Sequence, residues 1–429
     1  MLDIKAIRND PEGIEERLRR RDSGIDLSDL VGADQRRRET LQAVEVLKAR
    51  KNEVSREVGA RRKAGENADD LIGSMRAVGE ELSGLEATLA EITQEVDSIC
   101  ASLPNLPHAD VVPGSDLEAA ECIRQEGTCP ERPEDSPHHL EIAERLGLLD
   151  MERGARLAGS QFAFHRGWGA RLEWALIQMM LDVQVGEKGY EMILPPLLAN
   201  TETLTASGQL PKFADQVYRC ADDDLYAIPT AEVPLTGMHR GDTLREDDLP
   251  LRYCAYTPCF RREAGAHGAQ ERGLIRVHQF NKVEIYRYTR PETSYEHLEE
   301  IVSDAEDILR RLGLHFRTIR LVAGDLAQQA AMTYDIEVWI PGQGRYYEVS
   351  SVSNCEDYLA RRASIRHRPT EGGKPRFVHT LNGSALATSR LFAAILETFE
   401  TSDGSVEIPE VLRSYLGGVT RLLPDGGAE

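Results

Sequence analysis

An uninterrupted repeat of apolar residues between positions 71 and 99 restricts the fold of this chain more than any other feature. Its members follow alternating steps of four and three residues: Leu71, Met75, Val78, Leu82, Leu85, Leu89, Ile92, Val96 and Ile99. This spacing places all of them on one face of a helix and is typical of the seam of a coiled coil. The segment therefore predicts a long helix that packs along a second one.

The preceding segment supplies the candidate partner helix. It has a looser repeat in which Lys51 occupies an apolar slot: Val44, Leu47, Val54 and Val58. A polar stretch around Gly65 predicts the reversal between two antiparallel arms. Each arm of 30 to 36 residues would be roughly 45 to 55 Å long at 1.5 Å per residue. The pattern alone favours a dimerisation or spacer element for this hairpin.

Charge is divided unevenly between the two arms. Arg36 to Lys63 contains ten Lys or Arg residues against four Glu, whereas Glu66 to Asp97 contains nine acids against one Arg. Oppositely charged helices attract each other, and the basic one still offers cations to phosphates. The net charge of -21 therefore does not exclude a nucleic-acid partner.

Composition predicts a soluble protein of two or three domains. The chain has 429 residues, 41% of them hydrophobic, without a run of about 18 apolar residues or an apolar leader at its start. The seven cysteines form no CxxC pair, which favours reduced thiols over disulfides or a zinc site. The eleven histidines form no HExxH motif or close metal-ligand cluster, so zinc hydrolase chemistry has little support. We expect a cytoplasmic protein with no membrane partner.

The domain organisation follows from prolines and periodicity. Pro104 and Pro107 end the helical arms, so we predict an N-terminal helical arm over 1–107, a linker over 108–137 and a body over 138–429. The body begins with an amphipathic helix around Leu176 and continues with strands and turns that lack a βαβ rhythm. We predict an α+β fold with an antiparallel sheet and flanking helices. Gly342-Gln343-Gly344 predicts a hairpin turn.

A strand with an unusual polar face follows a cluster of charges at Phe260-Arg261-Arg262-Glu263. Side chains alternate along a strand, so one face is predicted to hold Arg276, His278, Phe280, Lys282 and Glu284. The other face is predicted to hold Ile275, Val277, Val283 and Ile285. Cations, a ring and a carboxylate on one face indicate a ligand surface. A solvated face with ion pairs is the alternative.

The FRREAG and RGLIRVHQF segments, at 260–265 and 272–280, resemble motif 2 of the class II aminoacyl-tRNA synthetases, in particular the seryl-tRNA synthetases of the bacterial type. TAEVPL at 230–235, YDIEVWIPGQGRYYEVSSVSNCEDY at 334–358 and TLNGSALATSR at 380–390 follow in the family's order. The resemblance covers nearly the whole chain. It implies ATP-dependent activation of L-serine to seryl-adenylate and transfer to the 3′ end of tRNA(Ser). It also implies a homodimer built on the helix and strand before Pro195, and an arm that contacts tRNA.

The resemblance also implies the site residues. Arg261 and Arg390 are the predicted catalytic residues, Phe280 is expected to stack on adenine, and magnesium is expected at Glu348 and Ser351. The ATP-binding set is Arg261, Arg262, Glu263, Phe280, Glu348, Val349, Ser350, Ser351 and Arg390. The serine-binding set is Thr230, Ala231, Glu232, Arg261, Glu284 and Ser384. An odd separation places Glu348 and Ser351 on opposite faces of a regular strand, so we predict an irregularity or a strand end between them.

Several positions depart from the family pattern. The motif 2 loop has Ala269, Gln270 and Glu271 where the family usually has Arg, Asp and Thr, and Ala327-Gln328-Gln329 replaces Gly-Phe-Ser. These changes motivate one alternative, a diverged paralogue that serves a biosynthetic pathway or inhibitor resistance. A catalytically idle RNA-binding homologue is a further alternative, which loss of Arg261, Glu284 or Arg390 would favour. All three residues are present.

Overall fold

The computed structural model describes residues 1–130, 136–264 and 273–429. The chain forms two compact units, Met1–Leu103 and Pro104–Glu429. Helices in the described residues are α1 Ile4–Asn9, α2 Pro11–Arg19, α3 Ser28–Ala64, α4 Asp69–Ser102, α5 His139–Arg145, α6 Met151–Ala158, α7 Trp168–Leu181, α8 Thr201–Ala206, α9 Glu232–Gly237, α10 Ser294–Leu312, α11 Tyr358–Ala363, α12 Thr388–Thr398 and α13 Glu410–Arg413. Strands are β1 Glu121–Glu126, β2 Glu191–Ile193, β3 Leu198–Ala199, β4 Tyr226–Ala227, β5 Thr243–Arg245, β6 Leu251–Phe260, β7 Gln279–Thr289, β8 Phe316–Arg320, β9 Met332–Ile340, β10 Arg345–Asn354, β11 Arg366–Arg368, β12 Arg376–Phe377, β13 His379–Ala387, β14 Val406–Glu407 and β15 Arg421–Leu422.

The first unit contains the predicted helical hairpin. Helices α3 and α4 pack along each other, and Val44 and Leu47 share an apolar cluster with Val78 and Leu82. Gly65 ends α3 with a φ of 78°, a left-handed conformation that glycine adopts without steric cost. The two arms and the reversal between them are confirmed.

Opposite charges connect the two arms as their composition predicts. Glutamate Oε1 atoms of α4 lie 2.8 Å from cationic nitrogens of α3 in the pairs Arg36–Glu95 and Lys48–Glu86. Near the reversal, Arg61 Nη1 lies 3.2 Å from Asp70 Oδ2. These pairs are exposed, and exposed ion pairs contribute little to stability, so the apolar seam remains the main source of stability. Lys51 is exposed, consistent with the weaker repeat of α3.

The second unit is built on a sheet of eight strands within the described residues. Their order is β1-β8-β9-β10-β13-β7-β6-β2, and all neighbours are antiparallel except β2 and β6. The α+β prediction is confirmed, and the parallel edge pair makes the sheet mixed rather than purely antiparallel. Strand β1 lies inside the predicted linker over 108–137. Residues 131–135 of that linker lie outside the described part of the chain. The division into three domains stays a prediction.

One face of this sheet is covered by helices. Val283 and Ile285 of β7 belong to a large apolar core with residues of α7, α10 and α12. Leu172, Leu176, Met179 and Met180 are buried in α7, as their helical spacing predicts. The opposite side chains of β7 are therefore free to form a site.

Two smaller predictions also have clear outcomes. Pro341–Gln343 connects β9 to β10 in a tight turn, which confirms the predicted hairpin. All seven cysteines are free, in agreement with reduced thiols. The helices that the structure describes include none with the length and apolar character needed to cross a bilayer.

Candidate active site

The polar side chains of β7 face a cavity of about 580 Å³. Phe280, Lys282 and Glu284 line it, as the alternation predicted. The prediction fails before Gln279, because β7 starts there and Gly273–Ile275 forms a 3₁₀ turn. Ile275 and Val277 consequently line the cavity as well, and His278 does not: its Nδ1 lies 2.9 Å from the backbone oxygen of Arg261.

Arg261 follows the end of β6 and enters the cavity. Its backbone N–H donates to the oxygen of His278 at 2.9 Å, and its guanidinium lies 5.2 Å from the centre of the Phe280 ring. Its Nε donates to the Pro229 oxygen at 3.4 Å. Strand pairing therefore places a cation and an aromatic ring at one mouth of the cavity.

Glu263 is oriented by an unusual backbone and an ion pair. Its φ is 48°, which is uncommon for a residue other than glycine, and its Oε2 accepts from Arg276 Nε at 2.7 Å. Both side chains line the cavity. Backbone strain that persists at such a position is frequent at binding sites.

Three members of the predicted site do not contribute side chains to the cavity. Arg262 donates from Nη1 to the Asp215 oxygen at 3.1 Å, and Ser350 donates from Oγ to the Ser384 oxygen at 2.6 Å. Ala231 is buried in an apolar cluster. Val349 does line the cavity.

Glu348 and Ser351 both line the cavity because β10 is irregular. The pairing of β10 with β9 shifts between Glu348 and Ser350, so one residue is added and the two side chains reach the same side. This confirms the predicted irregularity. Asp335 of β9 pairs with Ser351, and its buried Oδ1 has no hydrogen-bond partner within the described residues.

Arg390 contacts Glu348 from helix α12. It is in the first turn of α12; its Nε donates to the Ile275 oxygen at 3.1 Å and its Nη1 donates to the Glu348 oxygen. The same Nη1 lies 3.8 Å from Glu348 Oε2. A planar guanidinium in this position can bind a phosphate through two parallel hydrogen bonds.

The deepest part of the cavity contains two buried carboxylates, Glu232 and Glu284. Lys282 Nζ forms an ion pair with Glu284 and donates to Thr230 Oγ1 at 2.7 Å. Asn382 Nδ2 donates to Glu284 Oε1 at 3.3 Å. Burial and the nearby Glu284 raise the pKa of Glu232 to about 7. Ser384 also lines the cavity.

Lys282, Asn382 and Gln329 are among the residues that line this pocket and were not predicted as site members. Strand alternation predicted Lys282 on the correct face of β7. The same alternation places Lys282 next to Glu284, two residues later, and this could have identified Lys282 as a site residue. Asn382 lies two residues before Ser384 on β13, and Gln329 lies in a segment that departs from the family pattern. Ala269, Gln270 and Glu271 lie outside the described residues.

The prediction that histidines form no close metal-ligand cluster is contradicted by distance alone. His138, His139 and Glu397 place their ligand-type atoms within 4.8 Å of one another. However, His139 Nδ1 lies 2.8 Å from Glu397 Oε1, and its Nε2 accepts from the Leu274 N–H at 3.2 Å. Both ring nitrogens are thus used by hydrogen bonds, which fits a buried structural network better than a metal site.

Comparison with known proteins gives the class of this fold and site. Residues 216–399 match the family model of the tRNA synthetase class II core domain (G, H, P, S and T), and residues 1–107 match that of the seryl-tRNA synthetase N-terminal domain. The body is thus a class II aminoacyl-tRNA synthetase core.

Full-length relatives narrow the class to one family. The serine–tRNA ligase of Oleidesulfovibrio alaskensis is 48% identical over 426 residues, 99% of this chain and 100% of that protein. That of Prosthecochloris aestuarii is 50% identical over 423 residues, 97% and 98% of the two chains. The crystal structure of seryl-tRNA synthetase from Pyrococcus horikoshii complexed with ATP has a TM-score of 0.91 and 38% identity, covering 99% of this chain and 100% of that one. The chain belongs to the seryl-tRNA synthetase family.

Proposed function

We propose that this protein is a serine–tRNA ligase, which activates L-serine with ATP to seryl-adenylate and transfers the seryl group to the 3′ end of tRNA(Ser). The observation that supports this most is the content of one cavity. It combines Arg261 and Arg390, suited to oxyanions, with a pair of buried carboxylates suited to an amino acid. The full-length likeness to serine–tRNA ligases supports the same function rather than an idle homologue.

In the proposed activation, the serine carboxylate attacks the α-phosphorus of ATP and pyrophosphate leaves. Positioning and charge neutralisation supply most of the catalysis in such a phosphorus-centred displacement. Arg261 would bind the α-phosphate and the attacking carboxylate, and Arg390 the γ-phosphate. Phe280, whose ring lies near the Arg261 guanidinium, would stack on adenine.

Magnesium is the metal that fits the proposed site. Glu348 and Ser351 offer oxygen ligands from one side of the bulged β10 strand, and the buried Asp335 Oδ1, which has no hydrogen-bond partner among the described residues, belongs to the residue paired with Ser351. Mg²⁺ prefers oxygen ligands, few from protein and the rest from phosphates and water. When bound, the ion would neutralise charge on the phosphates of ATP.

Serine recognition is assigned to the deep end of the cavity. Thr230, Glu232, Glu284 and Ser384 surround it, and Lys282 balances the charge of Glu284. Glu232 is therefore the carboxylate that remains to bind the ammonium or the hydroxyl of serine. A site that pairs a substrate hydroxyl with buried polar groups discriminates strongly against analogues that lack it.

We predict that the KM for serine depends on the ionisation of Glu232. Because burial raises the pKa of this carboxyl to about 7, it is mostly protonated below that pH in the free protein. The ionised form accepts from the ammonium or the hydroxyl, so the serine KM should rise as pH falls below 7, by up to about tenfold per pH unit. Above pH 7 it should level off.

The pH dependence of the serine KM is measured by pyrophosphate exchange from about pH 5.5 to 8.5. The ATP KM over the same range is the internal control. The charged or ionisable groups near Glu232 are Glu284, Lys282, Arg261, Tyr286 and Cys355. Burial raises the pKa values of Tyr286 and Cys355 well above their usual range, so neither titrates near 7. A serine KM that is flat across pH 7 would contradict the assignment.

The helical hairpin is proposed to bind tRNA. Basic residues on α3 offer phosphate contacts while α4 provides the packing partner. Shape and backbone recognition of this type suits double-stranded RNA, whose deep major groove is closed to side chains. A cytoplasmic location follows from the proposed partner, tRNA.

We also propose that the protein is a homodimer. A run of apolar side chains between α7 and β3 is exposed: Trp174, Met192, Leu194, Leu197 and Leu198. Leu194 is 74% exposed and Trp174 is 55% exposed. Several exposed apolar side chains on and beside the edge strand β2 are typical of a protein interface. Its position after α7 agrees with the interface that the family resemblance implies.

The dimer prediction is tested by Leu194→Asp. In a two-fold interface the change occurs twice, so the dimer dissociation constant should rise by about a hundredfold or more. Sedimentation at nanomolar to micromolar concentrations measures it. The control is Leu117→Asp, a change at another leucine that is 59% exposed but lies outside this surface. Equal dissociation constants for the two variants would contradict the proposed interface.

The proposed activation is tested by exchange of labelled pyrophosphate into ATP with a panel of amino acids. Serine should support exchange, and alanine, which lacks the hydroxyl, should support it about 10⁴-fold less well. Absence of serine-dependent exchange with purified protein and Mg²⁺ would refute the proposal.

A further inference from the structure

A glutamine that departs from the family pattern lies against the serine pocket. Gln329 lines the cavity, is only 8% exposed, and donates from Nε2 to Glu232 Oε1 at 3.4 Å. It comes from the segment between β8 and β9, whereas Glu232 begins α9. The Gln329 amide therefore contacts Glu232 from a segment that is distant from α9 in the sequence.

The backbone that presents Gln329 is held in place by Asn105. The Asn105 side chain is buried and donates from Nδ2 to the Gln329 oxygen and to the Cys355 oxygen, at 2.9 Å each. The Asn105 N–H donates to the Gln328 oxygen at 2.7 Å. These bonds fix the backbone from which the Gln329 side chain extends into the cavity.

The amide contact has two consequences for Glu232. It holds one carboxylate oxygen, which leaves Oε2 for a substrate group, and it favours the ionised form because a hydrogen bond to a carboxylate stabilises the charge. The side chain also fills space. A serine at this position would have three fewer side-chain heavy atoms.

We propose that Gln329 is a specificity-determining residue of the amino-acid pocket, which orients Glu232 through its amide and excludes larger amino acids through its bulk. The proposal rests on the proposed activation of serine and adds a residue to that site. Threonine, with one methyl group more than serine, is the competitor that the bulk of Gln329 acts against.

Two substitutions separate the amide from the bulk. Gln329→Met keeps the approximate volume and removes the donor, whereas Gln329→Ser keeps a polar group and opens space. Gln328→Met is the matched control, because Gln328 is 3% exposed, does not line the cavity, and donates to the Tyr358 hydroxyl at 3.4 Å. Pyrophosphate exchange gives kcat and KM for serine, threonine and ATP in each variant.

Gln329→Met should raise the serine KM by about tenfold, the effect of losing a hydrogen bond to a charged group, with the ATP KM unchanged. Its preference for serine over threonine should be kept. Gln329→Ser should lower that preference by about 10- to 200-fold, the range for one methylene in a pocket. Gln328→Met should match the wild-type protein in both quantities.

The inference is overturned if both Gln329 variants match Gln328→Met in serine KM and in serine preference. It is equally overturned if the serine and ATP KM values rise together, since that pattern indicates general disruption. A wild-type protein without serine-dependent exchange would instead refute the proposed function, so the two failures are distinguishable.

Discussion

Arg261→Ala is expected to lower serine-dependent pyrophosphate exchange by about 10³-fold. Arg261 enters the cavity beside Phe280, where it would bind both the attacking carboxylate and the α-phosphate. Removing one donor to a developing oxyanion commonly costs about 10² to 10³ in rate, and here two contacts are lost. Arg261→Lys keeps the charge but not the planar fork, so we expect recovery of only a small part of the activity.

The matched control for Arg261 is Arg219→Ala. The Arg219 guanidinium also lies over an aromatic ring, 5.7 Å from the centre of Tyr226, but it does not line the cavity. Exchange in this variant should stay near the wild-type rate. If Arg261→Ala and Arg219→Ala behaved alike, the assignment of Arg261 to the reacting groups would be wrong.

Replacing residues 36–100 by a short flexible linker is expected to reduce charging of tRNA(Ser) by about a hundredfold or more, while serine-dependent exchange stays near that of the intact protein. The removed segment contains the seam and charged pairs of the α3–α4 hairpin, and it contributes no residue to the cavity. Loss of several phosphate contacts accounts for an effect of this size. Parallel charging and exchange assays measure it.

A variant with altered surface charge tests, without a deletion, whether the arm is needed for charging of tRNA and not for activation of serine. Glutamine in place of the exposed residues Arg50, Lys51, Arg62 and Lys63 should weaken charging and reduce its dependence on salt concentration. The control is on the acidic helix, where Glu81 and Glu91 are also exposed. Replacing both by glutamine should not weaken charging. Equal losses of charging and exchange in the deletion variant would contradict an RNA-binding role for the arm.

Local patterns in the sequence predicted the parts of the structure that depend on neighbouring residues. The four-three repeat predicted α4, since a helix returns similar side chains to one face at that spacing. The odd separation of Glu348 and Ser351 predicted an irregularity or a strand end between them, because regular alternation does not bring both side chains to one cavity. Both predictions required only local geometry.

Contacts between distant segments account for what the sequence did not predict. Alternation alone extended β7 back to Ile275, but the Leu274 N–H donates to His139 Nε2, and Gly273–Ile275 forms a turn instead. The Arg262 side chain is held outside the cavity by the Asp215 oxygen. The contact of Gln329 with Glu232 joins positions 97 residues apart, and no short-range pattern predicts such a pair.

The most direct test of the central claim is charging of tRNA(Ser) with labelled serine by the purified, full-length protein in the presence of ATP and Mg²⁺. We predict that serine becomes attached to the 3′ end of tRNA(Ser), and that the Arg261→Ala variant fails to attach it. Serine-dependent exchange without any charging would contradict the claim that this protein completes the ligase reaction.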